Sequence, residues 1–202
     1  MIWEFSPASK PMVAIMREIL RKYPKCEFGR ELFPGNPIPI LRVSGGKTTA
    51  DVADWGYLTQ KGKRVYNARS ETLLEKPLFG KDFVQNRCVI PVTGFCEWDG
   101  DGTGWDFLPQ EEEMLYLAGV CRKKAEGWEA TVVTNTPQDM WERFTTAHLL
   151  YCLAKICGNG FMTKHRRGSF WKKPKNGYCS NGRRWKEKLY EYDISASQRI
   201  SD

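Results

Sequence analysis

Residues 87–98 read Arg87-Cys88-Val89-Ile90-Pro91-Val92-Thr93-Gly94-Phe95-Cys96-Glu97-Trp98. The stretch alternates enough for strand, with interruptions at Pro91 and Gly94. Similar stretches lie on both sides of it. Met114 to Cys121 and Glu129 to Asn135 are rich in β-formers and read as strands. Upstream, Ile38 to Val43 reads as a short strand, Gly45-Gly46 as a turn, and a second strand leads to Trp55-Gly56. Arg64 to Ala68 is extended, and Phe33 to Pro39 is a Pro/Gly-rich loop.

Helical signals are fewer. Met12 to Tyr23 reads as a helix with Val13, Met16, Ile19, Leu20 and Tyr23 on one face, Pro11 in its first turn and Pro24 after its end. Thr72 and Glu75 have capping-box spacing, which predicts a short helix there. Thr136 caps another, with Pro137 at its first position, running to about Phe144. Strands that do not alternate strictly with helices predict an α+β fold: a mixed, barrel-like antiparallel sheet with flanking helices, in a single domain.

The chain has 202 residues, enough for one domain with a real core, and its 41% hydrophobic content is that of a globular protein. No apolar run reaches the length of a membrane span, and no secretory leader pattern is seen, so a cytoplasmic protein is expected. Seven cysteines without scaffold spacing read as free thiols. The net charge of +7 is unevenly placed: residues 1–143 carry −1 and residues 144–202 carry +8. From Phe144 to Lys186 there is no acidic residue. The expected organisation is a domain over residues 1–150 and a basic segment over 151–202.

Two strings carry a resemblance. Asn67-Ala68-Arg69-Ser70-Glu71-Thr72 is followed about 25 residues later by Gly94-Phe95-Cys96-Glu97-Trp98. Together they resemble the SOS response-associated peptidase (SRAP) family. Phe33-Pro34-Gly35-Asn36, Trp55-Gly56 and Leu115-Tyr116-Leu117-Ala118-Gly119 are similar to further elements of that family, and the resemblance runs over about residues 4 to 148. It implies a groove for single-stranded DNA. It also implies capture of abasic sites by an N-terminal cysteine, whose amine forms a Schiff base and whose thiol closes a thiazolidine. Self-removal of Met1 and lyase-type chemistry belong to the same picture, and no cofactor is called for. The implied partner is single-stranded DNA with abasic sites, and no membrane; separately from the resemblance, a monomer is expected.

Residue roles follow from the same resemblance. Glu97, desolvated beside Trp98, would carry a raised pKa and shuttle protons during imine formation. Asn67 would hydrogen-bond the amine or the aldehyde-derived oxygen, and His148 would assist ring opening. Arg69 would hold a phosphate through its planar fork. Trp55 would stack on a base, with core packing as its alternative, and Trp98 would join the DNA-binding surface. Cys96 alternates with Glu97 and is expected to face away from it.

The chain departs from the family at both ends. It reads Met1-Ile2-Trp3 where the family has an N-terminal cysteine, so impaired crosslinking is expected. Leu149 and Leu150 follow His148 where the family has an arginine. Ile156 to Thr163 can be encoded so that an adjacent frame reads Met-Trp-Glu-Trp-Ile-Tyr-Asp, similar to the family's C-terminal helix. That implies a shifted frame beyond about Leu150. A competing expectation is a non-enzymatic basic nucleic-acid-binding module, its C-terminal region held by a metal on Cys152, Cys157, His165 and Cys179, although their spacings of 5, 8 and 14 match no common finger. A general protease is not expected, because no nucleophile–base set has recognisable context.

Overall fold

The structure is a computed structural model that describes residues 2–5, 10–98, 104–109, 114–135, 148–149, 152–155, 162–165 and 170–172. Its strands, in chain order, are β1 (Ile2–Glu4), β2 (Glu31–Leu32), β3 (Pro37–Ser44), β4 (Lys47–Trp55), β5 (Tyr57–Leu58), β6 (Arg64–Val65), β7 (Asn67–Arg69) and β8 (Arg87–Val92). They continue as β9 (Gly94–Trp98), β10 (Gly104–Pro109), β11 (Leu115–Lys123), β12 (Trp128–Asn135), β13 (His148–Leu149), β14 (Cys152–Lys155), β15 (Met162–His165) and β16 (Phe170–Lys172). Two helices are described, α1 (Lys10–Lys22) and α2 (Gly80–Gln85).

The larger sheet closes on itself. Antiparallel pairing runs from β4 to β3, β8, β11 and β12, and β12 then pairs in parallel with β4. The result is a five-membered ring, the barrel-like α+β architecture that the strand-rich pattern predicts. β7 extends the ring by pairing in parallel with β12 beyond the end of β4, and β13 pairs with the last residues of β12. The smaller sheet is antiparallel, in the order β16-β10-β9-β1-β2.

The stretch 87–98 joins the two sheets. Its first half, β8, belongs to the ring, and its second half, β9, is central in the smaller sheet. Pro91 is accommodated within β8, and the break falls at Thr93, whose N–H donates to the Glu4 carbonyl. The two sheets pack through one core that includes Trp3, Phe95 and Phe107 from the smaller sheet and Trp55, Ala130 and Val132 from the ring. Phe95 and Phe107, directly opposite in register, stack with centroids 4.8 Å apart.

Helix α1 forms where its periodicity predicts, but on a rotated face. Met12, Ile15 and Ile19 are buried, whereas Val13 and Leu20 are exposed. The helix carries two apolar stripes, and polar bonds to β4 select between them. Glu18 accepts from the Ala50 N–H at 2.9 Å and from the Thr49 hydroxyl at 3.0 Å, and Tyr23 donates to Asp51 at 2.8 Å.

The helix expected at Thr72 does not form. Ser70–Thr72 is a single 3₁₀ turn followed by further turns, and the Thr72 hydroxyl is buried without a hydrogen-bond partner among the described residues. Pro77 lacks the N–H that a helix starting there would need. The helix expected from Thr136 lies outside the described residues. Beyond Leu150, β14 and β15 form a hairpin and β16 pairs with β10.

Candidate functional site

Strand register places Glu97 and Asn67 on surfaces that face each other. Trp3 is opposite Phe95, so both side chains lie on one face of the smaller sheet, and Glu97, two residues on, shares it. In the ring, Asn67 is beside Val132 and Trp55 is beside Ala130, so Asn67, Val132, Ala130 and Trp55 share one face. Trp3 and Trp55 then join the two faces. Their rings stack with centroids 3.4 Å apart and an interplanar angle of 14°. The Trp55 indole N–H donates to the Tyr66 carbonyl, one residue before Asn67.

Burial sets the chemistry of this interlayer space. Glu97 is only 5% exposed. Asn67 is half-buried, and its Oδ1 is buried without a hydrogen-bond partner among the described residues. The Trp3 Nε1 and the Thr134 Oγ1 are in the same condition. Thr134 is beside Arg69, on the face that carries Asn67. Arg69 itself is exposed, at the outer end of β7. A buried carboxyl, an amide oxygen open to a donor and a nearby guanidinium suit proton transfer to the oxygen of a carbonyl group under attack, with a phosphate beside it.

The remaining expected site residues divide. His148 is paired with Asn135, one row beyond the Arg69–Thr134 pair, so the backbone brings it to the same end of β12 as Asn67 and Arg69. Trp98 is half-buried at the last position of β9. Trp55 is corrected: it is 0% exposed and covered by Trp3, so it packs in the core and offers no face to a base. Trp3 was not singled out by its sequence, although its place two residues before Phe5 in an alternating strand is a core signal. Thr134 gave no signal at all, because its placement depends on the pairing of β12 with β7.

Two of the described cysteines are poor nucleophiles. A hydrogen bond with Cys121, followed by burial, pushes the Cys88 thiol well above its ordinary pKa. Burial, with the Glu27 carboxylate beside it, raises Cys26. Cys96 is buried opposite Ile2 and alternates with Glu97. Among the described residues no three His, Cys, Asp or Glu side chains converge as metal ligands. Cys152 is opposite His165 in the β14–β15 hairpin, and Cys157 and Cys179 lie outside the described residues.

The family model of the SOS response associated peptidase (SRAP) matches residues 14–146. The chain belongs to the SRAP family. Over 100 residues it is 45% identical to the abasic site processing protein YoqW of Bacillus subtilis and of Bacillus phage SPbeta, covering 45% of this chain and 45% of each relative. It is 40% identical over 84 residues to the abasic site processing protein YoaM of B. subtilis, covering 38% of this chain and 37% of that one. The matched stretch is thus less than half the length of these curated SRAP relatives. A solved protein from Bacteroides thetaiotaomicron shares the fold with a TM-score of 0.57 and 18% identity, over 75% of this chain and 76% of its own. A phage-related protein from Bordetella bronchiseptica does so at 0.52 and 16%, over the same shares. No helix among the described residues of this SRAP chain is long and apolar enough to cross a membrane.

Proposed function

We propose that this chain recognises abasic sites in single-stranded DNA without sealing them in a stable thiazolidine. The observation that carries the reading is the placement of Glu97 and Asn67 on facing surfaces of the two sheets, with Arg69 at the outer end of the same strand as Asn67. The ring-opened abasic sugar presents an aldehyde at C1′. Attack by an amine gives a carbinolamine, and loss of its hydroxyl as water, with a proton from Glu97, gives an imine. Asn67 holds the oxygen meanwhile, Arg69 holds a flanking phosphate, and His148 assists ring opening.

The thiazolidine step needs a thiol and an amine on one residue. In β1, Ile2 carries no thiol, and the thiol opposite it, that of Cys96 on the neighbouring strand, has no free amine on its own residue. An amine elsewhere, such as that of Lys10, supports at most a reversible imine. The B. subtilis relatives named for abasic site processing support the DNA reading, as does the net +8 of residues 144–202.

The test is a binding and crosslinking assay with single-stranded DNA carrying one abasic site. The chain should retain the abasic strand over an intact strand, and a denaturing gel should show no shifted band unless borohydride is present. Asn67→Ala and Glu97→Gln should each lower the abasic preference about tenfold, or about 1.4 kcal/mol. Equal affinity for abasic and intact strands sinks the recognition. A shifted band without reductant sinks the absence of a stable crosslink.

A further inference from the structure

Three buried polar atoms on the two facing surfaces have no hydrogen-bond partner among the described residues: Trp3 Nε1, Asn67 Oδ1 and Thr134 Oγ1. Trp3 and Thr134 are both 0% exposed. Each such atom is costly to bury if nothing satisfies it, and unsatisfied groups of this kind are few in folded proteins. Their chemistry is complementary. An indole N–H only donates, an amide oxygen only accepts, and a threonine hydroxyl does both.

The ligand that answers such a set is a hydroxyl oxygen, which accepts from one side and donates to the other. We infer that Trp3 is a specificity-determining residue whose indole N–H donates to the C1′ oxygen of an abasic sugar, while that oxygen's own proton is accepted by Asn67. This deepens the abasic-site reading and rests on it. Trp3 suits the role because its face of the smaller sheet carries Glu97, on the neighbouring strand, and its ring is fixed by the stack on Trp55. An intact nucleotide has a base nitrogen at C1′ and no hydroxyl, so the donor selects against it. The same oxygen leaves as water during imine formation, which places Trp3 at the reacting group.

Two inert analogues isolate the contact. A borohydride-reduced abasic site keeps the C1′ hydroxyl and cannot form an imine, and a tetrahydrofuran site lacks that oxygen. The wild-type chain should bind a single strand with the reduced site about tenfold more tightly than one with tetrahydrofuran. Trp3→Phe keeps an aromatic ring on Trp55 and removes the donor, and should bring the ratio to within about twofold. Replacement of Trp3 by β-(3-benzothienyl)alanine, which has sulfur in place of the N–H, should do the same if Trp3→Phe fails to fold. A ratio unchanged in these variants overturns the role of Trp3 and leaves abasic recognition standing, provided that both analogues still outcompete an intact strand. If the wild type prefers neither analogue to an intact strand, both readings fall.

Discussion

Gly56 is held at a φ of +111°, in the region that side-chain-bearing residues rarely adopt. It follows Trp55 at the point where the ring closes, and its N–H donates to the Ala130 carbonyl at 2.7 Å. A Cβ there would meet the Tyr66 ring at 2.6 Å. The Tyr66 backbone is pinned, because its carbonyl receives the Trp55 indole and the Val132 N–H, and its ring, the group in the way, is packed against the core. Gly56→Ala should therefore destabilise the fold by about 3 kcal/mol, backbone strain and overpacking together. Urea denaturation would measure it, and a midpoint unchanged from wild type would show that the ring closure does not depend on this glycine. The tryptophan-glycine pair is visible in the sequence. Its meaning is not, because the close approach of Tyr66 arises only when β4 and β7 lie end to end beside β12.

Among elements, the docking of α1 on β4 shows what pattern alone misses. Periodicity located the helix within two residues at one end and one at the other, and the strands at 37–44, 47–55, 115–123 and 128–135 fall where alternation and β-propensity put them. The buried face of α1 was not legible, because two apolar stripes compete and the deciding bonds reach residues about 30 positions away. In that contact Asp51, buried, accepts from Tyr23 at 2.8 Å and from Arg42 Nε at 2.7 Å, and Arg42 lies over the Trp128 ring at 4.2 Å. Burial, and then the bond to Asp51, push the Tyr23 phenol up to about 12. An unfolded tyrosine titrates near about 10, so the folded chain holds this proton more tightly. The stabilisation is complete below pH about 10 and is lost as pH rises towards about 12. Urea midpoints of wild type and Tyr23→Phe, compared from pH 8 to 11.5, should converge at the alkaline end. Parallel curves would mean that the Tyr23–Asp51 bond does not couple to folding.

For the whole molecule, the ring closes through the parallel pairing of β12 with β4 and is extended by the parallel pairing of β12 with β7, and both join residues more than 60 positions apart in sequence. No local signal encodes such pairings, so composition and propensity reach the α+β class and stop short of the topology. Charge, by contrast, is fully legible. The sequence carries a net −1 over residues 1–143 and +8 over residues 144–202, so the long-range attraction for a polyanion is concentrated in the basic segment. In the proposed reading Arg69 holds one phosphate at the candidate site, and one guanidinium accounts for about one phosphate. If the basic segment engages the strand as well, four or more phosphates are neutralised and their counterions released. For a single strand the slope of log affinity against log salt is about −0.7 per phosphate, so a slope of about −3 or steeper is expected between 50 and 200 mM KCl. Fluorescence anisotropy with a labelled strand carrying a reduced abasic site would measure it. A slope near −0.7 would confine the ionic contact to the Arg69 region and leave the basic segment without a part in binding.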